Sequence, residues 1–199
     1  MNGRRILMFA VLVGLASLWP MAAKGSGDHL QFTVNGVRFT YDLNLVRGDC
    51  DAFDGSSIHL ERGQYVIPFT CRRDRMLVAD MARVFFSGNV RPLRNPNVTL
   101  SMLRSEAIRG GEVKWMSSQL YKAFETEFRT INGRRWFVST QFEDIEKNRP
   151  GNRTYWTIEG GLLVTVNANI LPHISVSREW RDKRFRQLEE LVSRVGISR

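Results

Sequence analysis

Apolar and polar residues alternate through QFTVNGVRFTYDL, residues 31–43, on both sides of one Asn-Gly pair. Strict alternation marks a strand with one buried face, and Asn-Gly suits a tight type I′ turn because both central residues take φ > 0. The pattern predicts a hairpin with Leu30 to Val34 on one arm and Val37 to Leu43 on the other. Val37, Phe39 and Tyr41 then share the buried face. EFRTINGRRWFVSTQF repeats the device over roughly residues 127–142, with Asn132-Gly133 at the turn. A third strand pair is expected in TYWTIEGGLLVTVNANI, joined at Glu159-Gly160-Gly161. Two copies do not make a solenoid. Two Asn-Gly hairpins placed in one sheet account for them, as turn chemistry reused to fix register.

Other segments read differently. QYVIPFTCR, residues 64–72, has strand character, with Pro68 marking an edge or a bulge. DRMLVADMARVFFSG spaces Met76, Leu77, Met81, Val84 and Phe85 as on a helix, with Gly88 as its stop. A short strand is expected over Val98 to Leu103, after an irregular stretch holding Pro92 and Pro96. Val113, Trp115, Met116, Leu120, Tyr121 and Phe124 predict another helix, and EDIEKNRPGNR a polar loop. SREWRDKRFRQLEELVSRVGI closes the chain as an amphipathic helix ending near Gly196. At about 100° per residue, Phe185, Leu188, Leu191, Val192 and Val195 share one sector, joined by Arg181 and Arg184 nearer its start. Long Arg stems lie along apolar surface, so the first turn is expected to overhang the core. Together these elements predict an α+β fold: a single-domain antiparallel sheet with Asn-Gly hairpins, packed by helices that include the C-terminal one.

The N-terminus changes the picture. Arg4 and Arg5 precede an apolar run from Ile6 to Trp19, then Pro20 and the small residues Ala22 and Ala23. That is the plan of a secretory signal peptide, and the run is short for a membrane span of about 20 residues. Residues 1–23 are therefore expected to be a signal peptide, 24–29 a flexible lead-in, and 30–199 one α+β domain. An uncleaved N-terminal anchor is the alternative, because Met21 sits where a small residue is preferred. Membrane contact is expected through that segment alone. No Cys stands near the exit to carry a lipid.

With 43% hydrophobic and 25% charged residues the remainder is ordinary globular composition. Loss of Arg4 and Arg5 with the first 23 residues lowers the net charge from +9 to +7. A basic exported protein meets anionic surfaces or an acidic protein partner, and the compartment argues against nucleic acid. In an oxidising compartment Cys50 and Cys71 read as one disulfide. The bridge closes about 22 residues and contributes roughly 3 kcal/mol on the chain-entropy model.

Motifs for chemistry are sparse. Asp49, Asp51, Asp54-Gly55 and Glu61 miss the EF-hand register: counted from Asp49, Gly falls at 7 and Glu at 13 instead of 6 and 12. His29, His59 and His173 form neither an i, i+4 pair nor an HExxH. There is no GxSxG elbow, no Walker loop and no GxGxxG. No catalytic residue, metal ligand or cofactor is assigned. Two basic clusters, Arg72-Arg73 and Arg178, Arg181 and Arg184, are the candidate partner-binding residues.

The segments EVKWMSSQLYKAFE, TINGRRWFVSTQF, TYWTIEGGLLVTVNANI and EWRDKRFRQLEELVSRV, in that order, resemble the closing half of the PsbP/DcrB-like fold. That group comprises small α/β/α sandwiches, many of them exported. The resemblance covers under half the chain and implies a non-catalytic binding or assembly module. Function is thus expected to reside in the surface of an exported periplasmic protein, bound to a protein partner in the cell envelope as part of a secretion or envelope system, or neutralising one. The alternative is an exported cell-wall or polysaccharide hydrolase whose carboxylates meet only in space.

Overall fold

The computed structural model describes residues 29–42, 44, 59–61, 64–72, 83–113, 118–120, 122–144, 149–170 and 177–199. In chain order these form β1 (His29–Val34), β2 (Val37–Asp42), β3 (His59–Glu61), β4 (Gln64–Arg72), β5 (Arg83–Pro92), α1 (Leu100–Arg109), β6 (Gly111–Val113) and β7 (Ser118–Leu120). Then come β8 (Glu125–Ile131), β9 (Arg134–Asp144), β10 (Arg149–Glu159), β11 (Leu162–Ile170), α2 (Arg178–Ser193) and β12 (Gly196–Ser198). A seven-stranded sheet runs β3-β4-β5-β11-β10-β9-β8, a three-stranded sheet β1-β2-β12, and β6 pairs with β7. Every pairing is antiparallel, so the mixed α+β class is as expected. The signal segment, the lead-in before His29, Cys50, Arg73 and His173 lie outside the described residues.

Both Asn-Gly hairpins form in the expected register, with Val34 opposite Val37 and Ile131 opposite Arg134. Asn35 and Asn132 take φ of 48° and 50°, and the glycines after them 77° and 72°, as a type I′ turn requires. The hairpins do not share a sheet, however. The first belongs to the three-stranded sheet and the second to the large one. Turn chemistry fixes local register and carries no information about which sheet a hairpin joins. Val37, Phe39 and Tyr41 are buried, at 2%, 0% and 1% exposure.

Four expectations about individual elements fail as well. The predicted helix over 74–88 gives way to β5 from Arg83 onward, and Gly88 sits inside that strand between Ile67 and Val166. The expected strand over Val98 to Leu103 is α1: the Thr99 hydroxyl caps it by accepting from the Met102 amide at 3.2 Å, and Gly110 stops it at φ 69°. The helix expected from Val113 to Phe124 is replaced by β6 and β7. The polar loop at 143–153 shrinks, because β9 continues to Asp144 and β10 resumes at Arg149. Pro68 fits its edge reading. β3 pairs only with Gln64–Val66, so at Pro68 the outer edge of β4 has no strand partner among the described residues.

The large sheet is covered on both faces. On one face, Trp136, Val138, Tyr155, Leu162, Val164, Val166 and Ala168 meet Phe185, Leu188, Leu191 and Val192 of α2 and the apolar side of the small sheet. On the other, Phe137, Trp156 and Leu163 meet Leu103 and Ala107 of α1. The Ser177 hydroxyl caps α2 by accepting a hydrogen bond from the Trp180 amide at 3.2 Å. The helix stops at Ser193, and Gly196 begins β12, paired with Thr40 of β2. The second hairpin also docks the helix end, because the Asn132 side-chain amide donates to the Ser193 carbonyl.

Candidate functional site

The basic stretch of α2 does not form one surface. Arg178 is open to solvent, with 81% side-chain exposure and a loose contact to Asp182 at 3.8 Å. Arg181 and Arg184 are 2% and 1% exposed, so the first turns of α2 lie within the core and do not overhang it. The Arg184 guanidinium lies 4.9 Å from the Trp180 ring centre and donates to Gln187 Oε1 at 2.8 Å. Nearby, Arg153 stacks on Phe185 at 4.5 Å and donates to Thr140 Oγ1 at 3.1 Å. Of the other cluster, Arg72 is the last residue of β4.

Several acids among the described residues meet guanidinium groups. Glu127 and Glu189 both reach Arg129, at 2.8 and 2.7 Å, with 49% and 43% side-chain exposure. The Tyr155 hydroxyl stands 3.5 Å from Glu189, and burial together with that carboxylate pushes its pKa up to about 12. Glu159 holds Arg134, whose other amino group donates to the Ile197 carbonyl at 3.1 Å, and Arg199 approaches Glu159 at 3.7 Å. Arg134, Arg135 and Glu159, with Leu100 and the Asn132-Gly133 turn, line an open groove at this end of the sheet. Glu159 is the one carboxylate of that groove, and Glu127 and Glu189 lie outside it. These pairs tie β8, β9, β10, α2 and β12 together.

At the other end of the first-sequence hairpin, Asp42 is contacted by Arg194 at 3.2 Å and by His29 at 3.8 Å. Partial burial pushes its carboxyl up, but the Asn44 amide, Arg194 and His29 more than offset this, so its pKa lies below the usual carboxylate range. Cys71 lies on β4 opposite Val84, and His59 begins β3. Among the described residues no group of three or more His, Cys, Asp or Glu could hold a metal.

A different constellation emerges on the α1 face of the large sheet. Side chains two apart on a strand share a face, so the register sorts this surface into rows across the strands. Arg135, Ile158, Leu163 and Arg91 form one row, and Phe137, Trp156, Thr165 and Asn89 the next. The third is Ser139, Thr154, Asn167 and Ser87, extended onto β8 by Thr126. The fourth holds Gln141, Asn152 and Asn169, with Phe85 at the same register position on β5. The face therefore turns from apolar to polar between the second and third rows on β9 and β10, through Phe137 to Ser139 and Trp156 to Thr154, and one row earlier on β11, through Leu163 to Thr165.

Apart from the Phe85 position, the polar half carries hydroxyls and carboxamides, on strands from a chain of net charge +9. Ser139 is buried, Asn169 is exposed, and the others named are half-buried. Their bonds knit the rows. Ser87 donates to Asn167 Oδ1, Thr154 to Asn152 Oδ1 at 3.1 Å, and the Trp156 indole to Ser139 Oγ at 3.0 Å. Arg104 of α1 reaches Thr126 Oγ1 at 3.1 Å. The Ser87 and Thr154 hydroxyls, having donated their protons, retain acceptor positions, and the Asn152 and Asn167 carboxamides, which accept through Oδ1, carry NH2 donors as well. Sequence reasoning used these strands for their apolar positions and passed over the alternate ones. The signal was there as Asn-x-Thr at 152–154, Thr-x-Asn-x-Asn at 165–169 and Ser-x-Asn at 87–89.

Among the described residues no helix is long and apolar enough to cross a membrane. Comparison of the chain with family models, characterised proteins and solved structures finds no match.

Proposed function

We propose that this chain is an exported binding module that works through its surface rather than through a reactive centre. Its partner belongs to the cell envelope. The PsbP/DcrB-like likeness of the C-terminal half belongs to the same reading. The observation that carries it is the polar half of the large sheet: aligned hydroxyls and carboxamides across β9, β10, β11 and β5, held by their own hydrogen bonds. Such groups bind by hydrogen bonding and offer neither nucleophile activation nor acid–base chemistry by themselves.

Two measurements test this. Fractionation with N-terminal sequencing is expected to find a soluble periplasmic protein that begins after residue 23 and carries a Cys50–Cys71 bridge. A membrane-bound chain retaining Met1 would favour the uncleaved anchor, and a cytosolic chain with two free thiols would overturn export. For the binding claim, Glu127→Gln with Glu189→Gln is expected to leave partner retention unchanged. A hydrolytic activity on cell-wall material that disappears in this double variant would replace the module with an enzyme.

A further inference from the structure

We infer that the polar half of the large sheet binds a neutral, β-linked polysaccharide laid across the strands; this rests on the binding-module reading and names its ligand. Three observations meet here. The first is charge. The chain carries 29 Lys and Arg against 20 Asp and Glu, yet among the described residues the Ser139–Thr154–Asn167–Ser87 row and its neighbours Asn152 and Asn169 bear none. A face evolved to meet phosphate, a nucleic acid or an acidic protein would place guanidinium or ammonium groups here, as the chain does elsewhere. A neutral face suits a neutral ligand, because no charge has to be desolvated without a counter-charge.

The second is chemistry. The carboxamides can donate and accept at once, as sugar hydroxyls do, while the Ser87 and Thr154 hydroxyls, their protons given to Asn167 and Asn152, offer acceptor positions beside them. The third is spacing. Neighbouring strands lie about 4.8 Å apart, so a row repeats its polar group at that interval across four strands. An extended β-1,4-linked chain advances by nearly the same distance per pyranose unit, which sets one ring over each strand. The internal bonds of Ser87 with Asn167, and of Thr154 with Asn152, fix the side chains before the ligand arrives and reduce the ordering cost of binding.

The test uses the full mature chain. Binding to chitin and cellulose, and to their soluble oligosaccharides, is measured by pull-down and calorimetry, with the α-linked glucan dextran as the comparison. The expectation is binding to at least one β-linked polymer, affinity that rises with oligosaccharide length up to about four rings, and little dependence on salt. Asn169→Lys changes an exposed position and is expected to fold normally. It should weaken binding about tenfold or more, and Asn152→Ala about tenfold, while Arg178→Glu on α2 leaves it unchanged. Urea midpoints confirm that each variant is folded. Binding that survives Asn169→Lys and Asn152→Ala overturns the site. If no β-linked polymer binds but a purified envelope protein does, and Asn169→Lys abolishes that contact, the ligand class is overturned and the surface reading stands. If the enzyme outcome described above is obtained, both fall.

Discussion

Gly160 offers a direct measure of how the two sheets are docked. It stands in the β10–β11 turn at φ 56°, and an added Cβ would lie 2.9 Å from Val37 Cγ2 across the sheet boundary. Its neighbour Gly161 has φ 75° and nothing within 4 Å of the same added atom. Alanine at Gly161 therefore meets only the backbone penalty of positive φ, about 1–2 kcal/mol, reduced by the lower entropy of the unfolded chain. Alanine at Gly160 meets that penalty and a collision. Val37 is 2% exposed and β-branched, so its methyl cannot swing away by rotating a long side chain. Overpacking of this kind adds about 1–3 kcal/mol, for roughly 2–5 in all.

A double-mutant cycle isolates the contact. Val37→Ala removes the offending methyl and by itself costs roughly 2 kcal/mol. Combined with Gly160→Ala, it relieves the collision, so the pair costs about 1–2 kcal/mol less than the two single changes together. Urea unfolding followed by tryptophan fluorescence reads all four proteins. Equal losses for Gly160→Ala and Gly161→Ala, or strict additivity of the pair, would show that the first hairpin does not rest on the β10–β11 turn.

Other outcomes follow from the same geometry. Arg178→Glu is expected to shift stability by no more than about 0.5 kcal/mol, whereas Arg184→Glu, at a 1% exposed position, loses about 3 kcal/mol or more by thermal or urea denaturation. Reversing all of Arg178, Arg181 and Arg184 together would thus abolish partner binding by unfolding. Tyr155 has its folded pKa raised to about 12, so its contribution is intact below the unfolded pKa of about 10 and is lost as pH rises through that interval. Tyr155→Phe should flatten the alkaline limb of the stability profile. Asp42 has a lowered folded pKa, so its stabilisation is present above the unfolded value and fades as pH falls through the folded one. Asp42→Asn should flatten the acid limb by lowering the midpoint at neutral pH, with variant and parent converging as pH falls through the folded pKa. Reduction of a Cys50–Cys71 bridge is expected to lower stability by roughly 3 kcal/mol in urea melts run with and without reductant.

What the sequence discloses and what it withholds divide by the range of the interaction. The hairpins at Asn35-Gly36 and Asn132-Gly133 are legible because a turn and a few alternating residues act within the segment itself. The apolar sector of α2 is legible for the same reason. Segment 83–92 is not, because Val84, Phe85, Phe86 and Val90 suit either period, and pairing with β4 and β11 on both sides decides for the strand. α1 was hidden by its brevity: Leu103 and Ala107 are its two buried positions, too few to set a period, and its clearest local sign was the Thr99 cap. Arg181 and Arg184 fell in the apolar sector by spacing, but their burial depends on what packs around α2. The polar rows on the sheet are likewise legible strand by strand, as alternate Asn, Ser and Thr, and become a surface only through register.

The footprint of α1 explains why that surface changes character where it does. Ten helical residues span about 15 Å, while eleven-residue strands such as β9 and β10 run roughly 35 Å. The helix is shorter than the strands it packs on, and the apolar residues Phe137, Trp156 and Leu163 cluster with its Leu103 and Ala107. Beyond its reach a face that only met water would gain solubility from Lys and Glu, the usual residues of a solvated strand face. Ser139, Thr154, Asn167 and Ser87 forgo that gain on four adjacent strands and bond to one another, to Asn152 or to Trp156 instead. Solubility alone accounts for polar residues there but not for the missing charge. Recognition of an uncharged, hydrogen-bonding ligand, as proposed above, would account for both.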